Sequence, residues 1–151
     1  MKLVIQRVNR ARVLVADEEI ASIGRGFLIL CGVAQGDTPA DREFLARKTM
    51  NLRVFDDAEG RMNLGPREVR AEFLVVSQFT LFADCARGNR PSYLDAAPPD
   101  EGEAGYEAFA ALLREGGFRV QTGRFAAHMR VELENDGPVT IPLESRGRVT
   151  P

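Results

Sequence analysis

The chain has 151 residues, of which 44% are apolar and 28% are charged, and its net charge is −2 at pH 7. This length predicts one domain, residues 1–151, that buries a core without disulfides or metals. No apolar run approaches the roughly 18 residues of a membrane helix, and the acidic balance argues against coating of nucleic acid through many phosphate contacts. The start, Met-Lys followed by a strand pattern, is not a secretory signal, so we expect a cytoplasmic protein with no membrane partner.

The N-terminal part of the chain predicts three stretches of sheet. Apolar and polar residues alternate over residues 2–8 and 12–15, as they do in half-buried strands. A turn at residues 17–19 leads into a short strand that ends at Ile23. Residues 27–33 form an apolar run that predicts a buried strand.

The middle of the chain predicts a helix followed by a central strand. Thr38 is suited to the N-cap, Pro39 to the first helical position and Asp41 to the first turn. Residues 53–55 predict a strand closed by a turn, and residues 72–78 predict the central strand.

The C-terminal half begins with a long loop, residues 84–97. A second helix is predicted from Pro98-Pro99 to about Glu115, where Gly116-Gly117 stops it. Three further strands follow, at residues 119–122, 127–134 and 139–143. Strands in runs with only two inserted helices predict an α+β fold with an antiparallel or mixed sheet.

Arginines occur in two local groups despite the acidic balance. Arg7, Arg10 and Arg12 lie near the start, and Arg87 and Arg90 share one Gly-containing loop. On composition alone, we interpret all five as solvated surface residues.

The sequence has too few cysteines and histidines for several common kinds of catalytic or metal site. Cys31 lies in an apolar run and is interpreted as a buried hydrophobe, and Cys85 lies in a polar loop without a paired histidine. The single histidine, His128, falls on the polar side of a predicted strand and is interpreted as solvated. These residues build no structural zinc site and no Ser-His-Asp triad, and we expect neither metal nor cofactor.

Polar groups follow the central strand where it ends. Ser77, Gln78 and Thr80 supply a hydroxyl, an amide and a second hydroxyl. Gln78 either orients a polar substrate or bonds backbone as a structural amide. Thr80 is a weak nucleophile without an adjacent base, so hydrogen bonding is its favoured role. The backbone N–H groups around Phe79 and Thr80 are suited to an oxyanion pocket.

A Gly-Pro step separates the last two predicted strands. Gly137 lets the backbone come close to a ligand, and Pro138 has no N–H and fixes φ. Such a step either forms an ordinary turn or presents bare carbonyl oxygens to a small group.

Phe125 and Met129 lie four residues apart in the segment before the Gly-Pro step, and core filling is the favoured interpretation of both.

Taken together, these segments resemble the D-aminoacyl-tRNA deacylases, and the resemblance covers nearly the whole chain. Its motifs are residues 1–8, 48–55 with 62–64, 77–81, 88–93, 122–125 and 135–140. Any one of them is weak, whereas all of them in order form a specific match.

The resemblance implies a curved, barrel-like sheet with two helices in a homodimer, and hydrolysis of D-aminoacyl-tRNA without a cofactor. It implies that Gly137-Pro138 is a cis peptide whose carbonyl oxygens enter the partner subunit's active site and reject L-amino acids, while glycine escapes rejection. Phe125 and Met129 would line the pocket of the terminal adenosine, whose 2′-hydroxyl would assist the attack. Ala126 stands where many relatives carry Gly, and Tyr93 where many carry Phe.

Three alternatives stay open at this stage. One is an esterase in which Thr80 is a covalent nucleophile. Another is a non-catalytic RNA-binding module, against which the acidic balance and the few arginines argue. The third is a deacylase that edits other mischarged tRNAs through a trans Gly-Pro step.

Overall fold

The computed structural model describes residues 1–146, in which eight strands, two α-helices and a short 3-10 helix follow one another. The strands are β1 (Lys2–Val15), β2 (Glu18–Ile23), β3 (Gly26–Gly32), β4 (Phe55–Asp56), β5 (Met62–Leu64), β6 (Glu72–Ser77), β7 (Val120–Thr122) and β8 (Arg130–Glu144). The helices are α1 (Pro39–Met50), the 3-10 helix (Phe79–Phe82) and α2 (Pro99–Glu115).

The long strand β1 organises the sheet, because it pairs with three neighbours. It is antiparallel to β3 through residues 2–8, to β2 through residues 11–15 and to β8 along most of its length. On the side of β3 away from β1, β6 runs parallel to β3, and β7 runs parallel to β6. The result is a mixed sheet that curls into a nearly closed barrel, which confirms the predicted α+β class.

Both faces of the sheet are buried at β3 and β6. Phe27 and Phe73 stack on neighbouring strands with ring centroids 5.5 Å apart and face the two helices. Leu28 and Leu74 follow them in sequence and point into the barrel, because successive side chains of a strand alternate between faces. Burial on both sides explains why β3 and β6 are continuous apolar runs rather than alternating ones.

The first helix begins as the sequence predicts. The carboxylate of Asp41 accepts hydrogen bonds from the N–H and the hydroxyl of Thr38, at 2.9 Å and 2.7 Å. Partial burial alone would raise the pKa of Asp41, but these hydrogen bonds lower it to about 2. Pro39 occupies the first turn, where its missing N–H has no helical partner to lose.

Several element boundaries differ from the predictions. Residues 2–8 and 12–15 both belong to the single strand β1. Most of residues 127–134 and all of residues 139–143 likewise belong to the single strand β8. The predicted strand at 53–55 is reduced to a two-residue strand, β4, which pairs with β5, a strand that the pattern did not indicate. Neither α-helix of residues 1–146 has the length and apolar character needed to cross a membrane.

Candidate active site

The chain changes direction at the end of β6, and this change opens a site. Ser77 is the last residue of β6 and pairs with Cys31 of β3, and the N–H of Gln78 still donates to the carbonyl of Cys31 at 2.8 Å. The next residues form the 3-10 helix, which turns the side chain of Phe79 outward until it is 56% exposed.

A cavity of about 600 Å³ lies beside this turn. Its walls come from the end of β6, the segment before α2, the first turn of α2 and the connection from β7 to β8. The lining residues are Val33, Val76, Ser77, Gln78, Phe79, Tyr93, Ala96, Ala97, Pro99, Gly102, Phe125, Ala126, Ala127, His128, Met129 and Val131. None of them is Asp, Glu, Lys or Arg, so the cavity suits a largely apolar, uncharged group that needs few polar contacts.

Two aromatic side chains form one edge of the cavity. The rings of Phe79 and Tyr93 meet edge to face, with centroids 5.0 Å apart and planes at 71°. Aromatic pairs favour this geometry because the positive ring edge meets the negative ring face. The contact joins the 3-10 helix to the far end of the long loop that the sequence predicts.

The opposite wall carries Phe125 and Met129, both half-buried. A Cβ built on Gly123 would lie 2.7 Å from the sulfur of Met129, so the glycine makes room for this side chain. Phe125 also packs on the helix-facing core, and Met129 on the core inside the barrel. The favoured interpretation as core residues is therefore only half of their role, because both also line the cavity.

A buried tyrosine joins α2 to the strand that ends at the site. The hydroxyl of Tyr106, on α2, donates to the carbonyl of Val75 at 3.0 Å. Burial raises the pKa of Tyr106 to about 12. Its phenol stays neutral near pH 7 and, through this hydrogen bond, ties α2 to β6.

Thr80 is set apart from the other predicted residues. The side-chain amide of Gln78 donates to the hydroxyl oxygen of Thr80, so the two form a pair behind the cavity edge. Ser77, Gln78 and Phe79 line the cavity, whereas Thr80 does not. Among residues 1–146, no imidazole or carboxylate is hydrogen-bonded to the Thr80 hydroxyl, so nothing there activates it as a nucleophile.

The Gly137-Pro138 step lies in a bulge of β8. Gln6 pairs with Thr140 and Val8 with Asn135, so residues 136–139 of β8 stand opposite Arg7 alone. The peptide bond between Gly137 and Pro138 is cis. Both residues are exposed, and neither lines the cavity of their own chain.

The bulge is closed at its base by Asn135. Its side-chain oxygen accepts from the N–H of Val139 at 2.7 Å, and its side-chain nitrogen donates to the carbonyl of Val139 at 3.2 Å. The side-chain amide of Asn135 therefore makes the hydrogen bonds to the N–H and C=O of Val139 that a neighbouring strand would otherwise make. This arrangement leaves the three residues between them to project as a unit.

Arg7 holds the same bulge from β1, and its interpretation as a solvated residue was wrong. It is 4% exposed, and its guanidinium donates to the carbonyls of Asp136 at 2.8 Å and Val54 at 2.6 Å. It also forms a salt bridge with Asp56 at 3.2 Å. The alternation of β1 indicated that Arg7 is buried, because Arg7 lies on the same core-facing side of the strand as Leu3 and Ile5.

Two residues near Phe125 refine the geometry of the connection. Ala126 has φ of +57°, a left-handed conformation that favours Gly. His128 is exposed and lines the cavity. The sequence predicts it within a strand at residues 127–134, but in the structure it precedes β8.

Neither cysteine points to chemistry. Cys31 is buried, and desolvation raises the pKa of its thiol. Cys85 is exposed in the long loop. Residues 1–146 contain no group of three or more His, Cys, Asp or Glu side chains arranged to bind a metal ion.

Comparison with solved structures first establishes the fold. The barrel with two helices matches a solved structure described as a probable eukaryotic D-amino acid tRNA deacylase, with a TM-score of 0.77 at 18% identity over 95% of this chain and 98% of that one. A second structure, of a c-Myc DNA unwinding element binding protein, superposes with a TM-score of 0.90 at 43% identity over 96% of this chain and 99% of that one.

Sequence comparison then identifies the family. The family model described as D-Tyr-tRNA(Tyr) deacylase matches residues 4–144, and the chain belongs to this family. A D-aminoacyl-tRNA deacylase of Thermotoga petrophila is 54% identical over 145 residues, which are 96% of this chain and 97% of the relative. A D-aminoacyl-tRNA deacylase of Dehalococcoides mccartyi is 53% identical over 151 residues, which are 100% of this chain and 99% of the relative.

Proposed function

We propose that this protein hydrolyses the ester bond between a D-amino acid and the terminal ribose of tRNA, releasing the free amino acid and tRNA. The observation that carries the proposal is the cavity of about 600 Å³ in which Ser77, Gln78 and Phe79 meet Phe125 and Met129. The family and the names of its members supply the reaction class. The activity is assigned to one domain, residues 1–151, acting in the cytoplasm, where charged tRNA is used.

The terminal adenosine of the tRNA is the group that we assign to the cavity. Its base is flat and uncharged, and the walls offer an aromatic ring at Phe125 and a polarisable sulfur at Met129 for stacking. The amide of Gln78 has donors and acceptors with which to orient the ester at the cavity edge. Ser77 adds a hydroxyl beside it.

The chemistry that fits these residues is positioning of the ester and stabilisation of charge. The N–H groups of Phe79 and Thr80 begin the 3-10 helix, where they have no intrahelical acceptor. They are suited to an oxyanion that forms beside Gln78. We assign activation of the attack to the 2′-hydroxyl of the terminal adenosine, because among residues 1–146 no imidazole or carboxylate is hydrogen-bonded to Gln78 or Thr80. The proposed reaction uses no metal and no cofactor.

Selection by chirality is assigned to Gly137 and Pro138 of a second subunit. Both residues are exposed and lie outside the cavity of their own chain, while Arg7 and Asn135 hold the bulge from behind. In a homodimer, their carbonyl oxygens would enter the partner's site and leave no room for the side chain of an L-amino acid. Such rejection reads the α-carbon and ignores side-chain identity. Glycine has no side chain and would be accepted.

The test is deacylation of D-Tyr-tRNA, L-Tyr-tRNA and Gly-tRNA, measured side by side. We expect cleavage of the D-Tyr and Gly esters and survival of the L-Tyr ester. Equal rates for both hands would overturn chiral selection and favour an editing deacylase of different specificity. Binding of tRNA without hydrolysis of any ester would instead favour an RNA-binding module.

A further inference from the structure

The loop after the 3-10 helix forms a hairpin at the rim of the cavity. Asp84 and Ser92 close it with two backbone hydrogen bonds, of 2.8 Å and 2.9 Å. The carboxylate of Asp84 turns back onto the N–H of Ala86 at 2.8 Å, which shapes one arm. Tyr93 follows directly and both lines the cavity and contacts Phe79. The base of the hairpin is therefore fixed at the cavity edge.

The tip of this hairpin carries two arginines that form no salt bridge with any of residues 1–146. Arg87 and Arg90 are exposed, as are all residues from 83 to 90. The arginines that form salt bridges within residues 1–146 are Arg7, Arg10, Arg12, Arg119 and Arg130. Neither Arg87 nor Arg90 is among them. Their guanidinium groups are therefore available to a partner outside residues 1–146.

The cavity and its rim differ in charge and could bind different parts of one ligand. The lining contains no Asp, Glu, Lys or Arg, so nothing inside it meets the charge of a nucleic-acid backbone. Arg87 lies three residues after Asp84 and Arg90 two residues before Ser92. At most roughly 11 Å of chain separates either Cα from the closing pair. Both Cα atoms therefore lie within about 11 Å of the base of the hairpin beside Tyr93, on an otherwise acidic protein of net charge −2.

We infer that Arg87 and Arg90 bind backbone phosphates of the single-stranded 3′ end of tRNA, just upstream of the nucleotide held in the cavity. This inference rests on the proposed function, because the terminal nucleotide must leave the cavity through its 5′ phosphate. Arginine is suited to this contact, since its planar guanidinium donates two parallel hydrogen bonds to one phosphate. The hairpin thus supplies affinity for RNA, while the cavity reads the aminoacylated terminus.

The test separates phosphate contacts from contacts to the nucleoside. D-Tyr-tRNA carries the phosphates, whereas the 3′-O-D-tyrosyl ester of adenosine carries none. For the double variant Arg87→Ala/Arg90→Ala, the ratio of kcat/KM on D-Tyr-tRNA to kcat/KM on the adenosine ester should fall about tenfold near 0.1 M salt. The plot of log kcat/KM for tRNA against log salt concentration should become less steep by roughly 1.4, about 0.7 for each lost contact on a single strand.

Binding of uncharged tRNA provides a readout that does not depend on catalysis. Its affinity should fall with the same loss of salt dependence in the double variant, and should stay unchanged in Arg114→Ala, an exposed arginine at the far end of α2. Unchanged tRNA affinity and salt slope in the double variant would overturn the inference, and so would equal losses on the two ester substrates. Failure of the proposed function looks different, because the wild-type protein would then hydrolyse neither ester.

Discussion

Arg7 and Asp136 are joined twice across the β1–β8 pair. The Nε of Arg7 donates to the carbonyl oxygen of Asp136 at 2.8 Å and lies 3.2 Å from its carboxylate oxygen Oδ2. Asp136 immediately precedes Gly137, so the buried guanidinium fixes the residue from which the bulge projects. The position of the proposed chiral filter therefore depends on a side chain from the first strand.

We expect Arg7→Lys to weaken both stability and chiral selection. An ammonium cannot reach Asp136, Val54 and Asp56 in the forked geometry of a guanidinium. The loss should be about 1–3 kcal/mol of the free energy of unfolding, since hydrogen bonds to a charged group are lost and a buried carbonyl is left unpaired. The ratio of rates on D-Tyr-tRNA and L-Tyr-tRNA should fall as the bulge loosens.

Arg10→Lys is the matched control for this change. Arg10 is on the same strand, but its side chain is 79% exposed and, within residues 1–146, forms a salt bridge only with Glu134. Its replacement should alter stability by less than about 0.5 kcal/mol and leave the ratio of rates intact. Equal effects of the two substitutions in urea unfolding and deacylation would contradict the role given to Arg7.

Thr80→Ala should keep substantial activity. The Thr80 hydroxyl accepts from Gln78 and does not line the cavity, so its loss removes one hydrogen bond, worth less than about tenfold in rate. Replacing the terminal adenosine by its 2′-deoxy form should be far more damaging, by about 100-fold or more, because it removes the group assigned to activate the attack. Single-turnover deacylation measures both losses. The reverse ordering, or a trapped acyl-enzyme on Thr80, would support a covalent esterase.

Mixing two damaged variants should restore activity if the sites are shared between subunits. One variant is Gln78→Ala. The other is Gly137→Ala, which strains the backbone because φ is +140° and the added Cβ would lie 2.9 Å from the nitrogen of Val139. With each variant first shown to be inactive alone, a mixed dimer would contain one site with both residues intact, and an equal mixture should recover about a quarter of wild-type activity. The mixture must be shown to exchange subunits, for instance by native mass spectrometry. Exchange without recovery would mean that each chain carries its own filter.

Ala126→Gly should stabilise the protein or leave it unchanged. Ala126 has φ of +57°, where a Cβ costs roughly 1–2 kcal/mol, and relief of this strain offsets the greater flexibility of glycine in the unfolded chain. The neighbouring Ala127→Gly is the control, because Ala127 has no positive φ and should lose about 0.5–1 kcal/mol. Thermal unfolding of the two variants distinguishes them, and an equal loss in both would argue against strain at Ala126.

Acid should weaken the start of α1 through Asp41. Its pKa in the folded state is about 2, below the ordinary value of 3.8. The carboxylate therefore contributes stability that is complete above about pH 4 and is lost as the pH falls through 2. Asp41→Asn should be less stable than the wild type at pH 6, and this difference should shrink between pH 4 and pH 2. Urea unfolding across this range measures it, and a difference that does not change with pH would contradict the assignment.

The sequence by itself determined the two α-helices and the central strands, but not β5 or the full extent of β1 and β8. The capping residues Thr38 and Asp41 act locally, so the start of α1 could be read from neighbouring residues alone. The apolar runs of β3 and β6 identified central strands, because only strands buried on both faces lack alternation. The resemblance to a deacylase family also lay in the sequence, and the comparisons confirmed it.

Only the tertiary structure decided which residues meet. Phe125 and Met129 line the same cavity as Ser77 and Gln78, although about 50 residues separate them in sequence, because β7 pairs parallel to β6 and brings the following turn beside its end. The alternation of β1 could place Arg7 on the core-facing side, but its partners Asp136 and Val54 are set by the pairing of β1 with the bulged strand β8 and by the packing of distant segments. Thr80 resembled its neighbours in sequence, but the 3-10 turn places it outside the cavity. Sequence patterns report local preferences and burial, whereas a site is made by contacts between distant segments, and these are fixed by the packing of the whole sheet.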